Sequence, residues 1–183
     1  MLIPKLLDIE TIIQLNIMNI KEIFQKRYSC RSYKDIPVPE EKLKNILKAA
    51  RLAPSAHNRQ PYKFIGVKDK EKREKLAIAA GQRFIAQAPI IIAGVALDPE
   101  DVMSNGVPTY AVDLGIAMEH IALQATAEGL GTCWIGAFSQ EEAKRILGIS
   151  QEYKIVALMP LGYPADSPGP KERKSLDELV SYQ

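Results

Sequence analysis

Two rhythms of apolar positions run along the chain. Behind Pro39, Leu43, Ile46, Leu47 and Ala50 recur at helical spacing, with Glu40 and Glu41 in the first turn, where acids suit the helix dipole. A helix is therefore predicted from Pro39, ending before Pro54. Ile20–Lys26, Asp69–Ala80, Gln140–Leu147 and Leu176–Val180 are predicted as further helices. Thr109–Glu128 is predicted as the longest, with Gly129 as its cap. Val112, Ile116, Met118, Ile121, Ala122 and Ala125 leave that helix little polar surface, which suits the inside of a fold or an interface. The second rhythm is the short apolar run. Ile90–Ala96 has the length and composition of a buried strand, and Tyr62–Val67, Thr132–Ile135 and Tyr153–Gly162 are strand candidates. Arg27–Asp35 is predicted to be extended or irregular, Ala53–Pro61 a polar loop and Asp98–Pro108 a mobile loop. Helices and strands mix without strict alternation, which predicts an α+β fold.

The chain has 183 residues, enough for one domain with a real core over 1–183. Residues 1–17 stand apart. Leu6, Ile9, Ile13 and Ile17 share helical spacing, and an added N-terminal helix packed on a partner subunit is expected there. The start lacks the ordered regions of a signal peptide, and no apolar stretch reaches the length of a membrane span. Two cysteines, Cys30 and Cys133, cannot build a secreted disulfide framework, so a cytoplasmic setting is expected. The formal charge of +2 is too small to argue for nucleic acid, and the basic residues are interspersed with Asp35, Glu71, Glu74 and Glu172.

Four segments carry candidate chemistry. In an extended Arg27-Tyr28-Ser29-Cys30-Arg31, alternate side chains share a side, so Arg27, Ser29 and Arg31 would offer two guanidinium groups and a hydroxyl to a phosphate. A solvated basic edge is the plainer alternative. Pro54-Ser55-Ala56-His57-Asn58-Arg59-Gln60-Pro61 is a stiff loop in which Asn58 and Gln60 present both donors and acceptors to a planar heterocycle. By composition alone, a polar connection between a helix and a strand is the favoured reading. Gly129-Leu130-Gly131-Thr132-Cys133-Trp134-Ile135-Gly136 permits close backbone approach, to a ligand or within the core; it follows a helix and is not a dinucleotide fingerprint. Lys171 and Arg173 would share one side of an extended tail, although taken alone a charged terminal tail is the better reading. The only histidines, His57 and His120, are far apart in sequence, and no metal site is expected. Cys133 reads as a buried, inert thiol, and Asp113 as a partner for a neighbouring loop's backbone.

In this order the four segments, together with Leu161-Gly162-Tyr163-Pro164, resemble the FMN-dependent nitroreductase family from about Ile20 to Val180. The resemblance implies a central, mainly antiparallel sheet flanked by helices, in an intertwined homodimer. It implies an FMN phosphate held by Arg27, Ser29, Arg31, Lys171 and Arg173. Pro54, Ser55 and Asn58 would come from the opposite subunit, with Asn58 contacting the flavin ring; Gln60 would help hold the ring or its loop, and backbone amides around Ile135 and Gly136 would face the ring's reactive edge. The implied activity is ping-pong transfer of a hydride from NADH or NADPH to a small organic acceptor such as a nitroaromatic or quinone, with no obligatory catalytic side chain. Tyr28 and Cys30 depart from the family pattern, which often has an arginine and an aliphatic residue there. Competing readings are a non-catalytic FMN-binding or storage protein, and a specialised dehalogenase or dehydrogenase of the same fold.

Overall fold

The computed structural model describes residues 19–183, so the helix expected at residues 1–17 lies outside the described residues. In chain order the elements are α1 (Ile20–Lys26), α2 (Glu40–Arg51), a 3-10 turn (Ala56–Asn58), β1 (Tyr62–Val67), α3 (Lys70–Ala79), a 3-10 turn (Arg83–Gln87), β2 (Ile90–Ala96), α4 (Thr109–Ala127), β3 (Gly131–Thr132), α5 (Gln140–Leu147), β4 (Lys154–Gly162) and α6 (Leu176–Leu179).

The strands form one sheet in the order β1-β2-β4-β3, every pairing antiparallel. β2 is buried along its whole length because both sheet faces are covered. Alternation splits its side chains between two cores. Ile90 and Ile92 join Ile46 of α2 and Leu114, Met118 and Ile121 of α4 on one face. Ile91, Ala93 and Val95 join Leu76 of α3 and Ala143 of α5 on the other. Gly94 lets α4 sit close: a Cβ there would lie 2.5 Å from the Met118 sulfur.

Side chains set the helix ends. Asn19, Asp69 and Ser139 each accept a first-turn backbone N–H, which places Asp69 just outside α3. Gly129, at φ 75°, turns the chain out of α4. The strand expected at Thr132–Ile135 is shorter and interrupted. β3 stops at Thr132, and the ladder resumes as a single bridge between Ile135 and Leu158. The Asp98–Pro108 segment folds back on itself, with a Val102–Pro108 bridge and a Met103 N–H bond to Val107.

Candidate functional site

The 27–31 segment forms an outer rung beside β3. Ser29 bridges Thr132 in parallel, and the Cys30 N–H donates to the Thr132 carbonyl at 2.9 Å. Cys30 points inward and is fully buried, as the extended reading requires of alternate residues. Gly131 makes room for it: a Cβ there would meet the Cys30 Cβ and Sγ at 2.8 Å. The glycine-rich segment therefore admits another strand at this position. Arg27 caps the C-terminus of α1, and its Nε lies 3.9 Å from Glu119 of α4. Burial pushes the Cys133 thiol up, while the Arg31 charge, a bond from Ser29 and the Arg27 charge pull it down.

The tail brings two more cations to the same place. The Lys171 ammonium donates to the last-turn carbonyls of α1, at Phe24 (3.0 Å) and Gln25. Burial, and then the neighbouring Arg27 and Arg173 charges, hold the Lys171 ammonium below its usual range. Arg27, Lys171 and Arg173 are thus neighbours, and Arg31, two residues beyond Ser29, acts with Arg27 on the Cys133 thiol. Among the described residues, Glu119 is the one carboxylate in an ion pair with any of them. A set of forked and point-charge donors in such surplus has the chemistry of a phosphate cradle.

The Pro54–Pro61 loop is built differently. His57, Asn58 and Gln60 all have positive φ, at 51°, 55° and 51°, in a segment without glycine. Such strain persists only where the surroundings over-determine it. Here the Gln60 N–H donates to Ser55 Oγ at 3.1 Å, and the Gln60 amide donates to the Asn58 backbone and side-chain oxygens, both at 3.0 Å. The Ala56 N–H donates to Asp113 Oδ1 at 3.1 Å, the loop-backbone bond expected of that aspartate. Arg59 pairs with Asp98 at 2.8 Å and Asp101 at 3.2 Å. Ser55 and Gln60 are thus committed to holding the loop, and the amide N–H2 of exposed Asn58 makes no hydrogen bond among the described residues.

No hydrogen bond or ion pair among the described residues joins this loop to the cation cluster. The reason lies in α4. Asp113, which holds the loop, and Glu119, which pairs with Arg27, are six residues apart and so lie roughly 120° apart around the helix. At the end of the glycine-rich segment, the Ile135 N–H is committed to the Leu158 carbonyl at 3.0 Å. The exposed amide in the expected pair is therefore that of Gly136, whose Cα faces open space.

Three contributors carried no sequence signal because they act across long separations. Asp166 accepts from the 27–31 segment, Glu119 accepts from Trp134 Nε1 at 3.1 Å, and His120 Nδ1 lies 3.0 Å from the Ala49 carbonyl, tying α4 to α2. A surface groove of about 630 Å³ runs along the outer side of α2 and holds none of the candidate residues. No helix among the described residues is long and apolar enough to cross a membrane.

Comparison with known proteins brings these segments under one description. The nitroreductase family model matches residues 24–89 and 79–163. The FMN reductase (NAD(P)H) of Bacillus subtilis is 35% identical over 182 residues, covering 90% of this chain and 72% of that protein. A nitroreductase family protein from Clostridium difficile 630 superimposes with TM-score 0.82 at 34% identity, over 91% of this chain and 99% of that one. An FMN-dependent nitroreductase from Clostridium difficile superimposes with TM-score 0.77 at 32% identity, over 88% and 96% of the two chains.

Proposed function

The chain belongs to the nitroreductase family, and from that premise we propose how its own residues serve the reaction. It is an FMN-dependent NAD(P)H oxidoreductase. Its second substrate is a small organic acceptor such as a nitroaromatic or quinone, and the two substrates use one site in turn. When bound, FMN supplies two-electron exchange between NADH or NADPH and that acceptor. The observation that carries this reading is the surplus of cations around Ser29, which fits the FMN phosphate.

Arg27, Ser29, Arg31, Lys171 and Arg173 hold the phosphate. The Asn58 amide and the Gly136 N–H face the ring, and a backbone donor aimed at developing negative charge stabilises the reduced state. Pro54, Ser55 and Gln60 keep the loop in its strained shape, and the Ile135–Leu158 bridge fixes where Gly136 points. No side-chain acid or base is assigned. The unpaired, buried Cys30 and Cys133 suit a reducing cytoplasm.

A homodimer completes the site, with the Pro54–Gln60 loop of one subunit meeting the cation cluster of the other. Support comes from the outward side of α4, where Val112, Gly115, Ile116 and Leu123 form a partly exposed apolar stripe interrupted by Glu119. The test is an anaerobic titration of the FMN-loaded protein with NADPH and then NADH, followed by visible absorption. Bleaching of the flavin band is expected with at least one of them. Bound flavin that stays oxidised with both would point to a storage protein.

A further inference from the structure

We propose that Asp166 is the positioning residue of the phosphate cradle, a carboxylate clasp that holds the two chain segments carrying the cations in a common geometry. The inference rests on the cradle reading above.

The Asp166 side chain receives three groups from one short stretch. Tyr28 Oη donates to Oδ1 at 2.8 Å, the Arg31 N–H donates to Oδ2 at 2.9 Å, and the Cys30 thiol lies 3.2 Å from Oδ1. Tyr28 and Cys30 alternate with Arg27, Ser29 and Arg31, so the clasp grips the back of a strand whose front offers the phosphate ligands. The cavity on that back face, about 400 Å³, is lined by Tyr28, Asp166, Pro164 and Pro168, and by none of the five cradle residues. The carboxylate can therefore order the cradle without presenting its own charge to the phosphate.

The second segment is held by the same contact. Residues 163–166 run antiparallel to 31–34, through the Tyr33–Pro164 bridge and the bonds Lys34 N–H to Tyr163 (2.8 Å) and Ala165 N–H to Ser32 (2.9 Å). Asp166 lies at the end of this zipper, five residues before Lys171. It thus fixes both where Ser29 and Arg31 point and where the tail departs toward Lys171 and Arg173. Its donors keep their protons: burial pushes the Cys30 thiol up to about 11, and burial with the Asp166 bond pushes the Tyr28 phenol above its usual range. Tyr28 and Cys30, the two departures from the family pattern, are the two side-chain donors this carboxylate uses.

The test compares affinity for FMN with affinity for riboflavin, which lacks the phosphate, by flavin fluorescence in the full chain. The wild type should prefer FMN. Asp166→Asn, which turns an N–H2 toward one of the donors, should weaken FMN binding about tenfold and leave riboflavin binding unchanged. Tyr28→Phe should do the same by a smaller factor, and is read in place of Asp166→Asn if that variant does not fold. Equal losses for both ligands, or an unchanged FMN preference in the variants, would overturn the clasp while leaving the cradle standing. A wild type that binds FMN and riboflavin equally would overturn the cradle and the clasp with it.

Discussion

At Gly131 the absence of a side chain decides whether the cradle strand can lie against the sheet. An alanine there would place its Cβ 2.8 Å from the Cys30 Cβ and Sγ, both fully buried with nowhere to retreat. Gly131→Ala is expected to cost about 1–3 kcal/mol of stability, as overpacking does, and to weaken FMN binding by displacing Ser29. Denaturant midpoints with a flavin titration would show both. The front of the strand behaves oppositely. Arg27→Ala with Arg31→Ala removes charge from a crowded cation set, so folding should survive while FMN affinity falls; unchanged affinity would remove these two arginines from the phosphate site. Asp166 adds a dependence on pH. Burial alone would raise its carboxyl, but bonds from the Arg31 N–H, Tyr28 and Cys30 outweigh this and hold it below the ordinary carboxylate range. A folded value below the unfolded one contributes stability that is present above about pH 4 and is lost as pH falls through the folded value. The Tm gap between wild type and Asp166→Asn should therefore be full at neutral pH and close as pH falls below the ordinary carboxylate range. A gap that stays constant would mean that the carboxylate's charge contributes nothing.

Among the elements, α4 joins the core to the site. Its buried side packs on the sheet, Asp113 near its start holds the strained loop, and Glu119, about one and two-thirds turns later, meets Arg27. Asp113 is 3% exposed; Oδ1 accepts from Ala56, and Oδ2 has no partner among the described residues. Asp113→Asn keeps the Oδ1 acceptor for the Ala56 N–H, so it should be tolerated. Asp113→Ala leaves the Ala56 N–H without its acceptor and should cost about 1–3 kcal/mol, and it should weaken FMN binding if Asn58 has the ring-contact role proposed for it. Asparagine and alanine variants of equal stability would show that the loop does not depend on this bond. Elements with strong periodicity or an unbroken apolar run, such as Ile90–Ala96 and Gln140–Leu147, were legible from sequence to the residue because local pattern and burial agree there. β3 was not. Cys133 and Trp134 have strand-like chemistry, but at this point the chain leaves the ladder, and a tertiary contact, Trp134 to Glu119, takes over. The turn at Arg83–Gln87 escaped because its apolar residues show neither rhythm, and packing under α3 shapes it.

In the whole molecule, the cradle unites residues from the two ends of the described chain, and sequence order alone could not show that they meet. Motif order pointed to it; the distances from Lys171 to Phe24 and from Arg27 to Glu119 supply the geometry. The second half of the site poses a sharper question, because the loop and the cradle of one chain lie on different sides of α4. If two subunits share each site, co-expression of two defective chains should rescue it. One chain carries Arg27→Ala and Arg31→Ala, and the other carries Asn58→Ala. Each homodimer then has two sites lacking one half. A mixed dimer has one site in which both halves are defective and one in which both are intact. Random pairing makes half of the dimers mixed, so about a quarter of all sites should recover wild-type FMN affinity and NAD(P)H-dependent bleaching. Recovery near that fraction requires a loop and a cradle from different chains. No recovery, with light scattering confirming that mixed dimers formed, would place loop and cradle in the same chain and would assign the apolar stripe of α4 to some role other than completing the site.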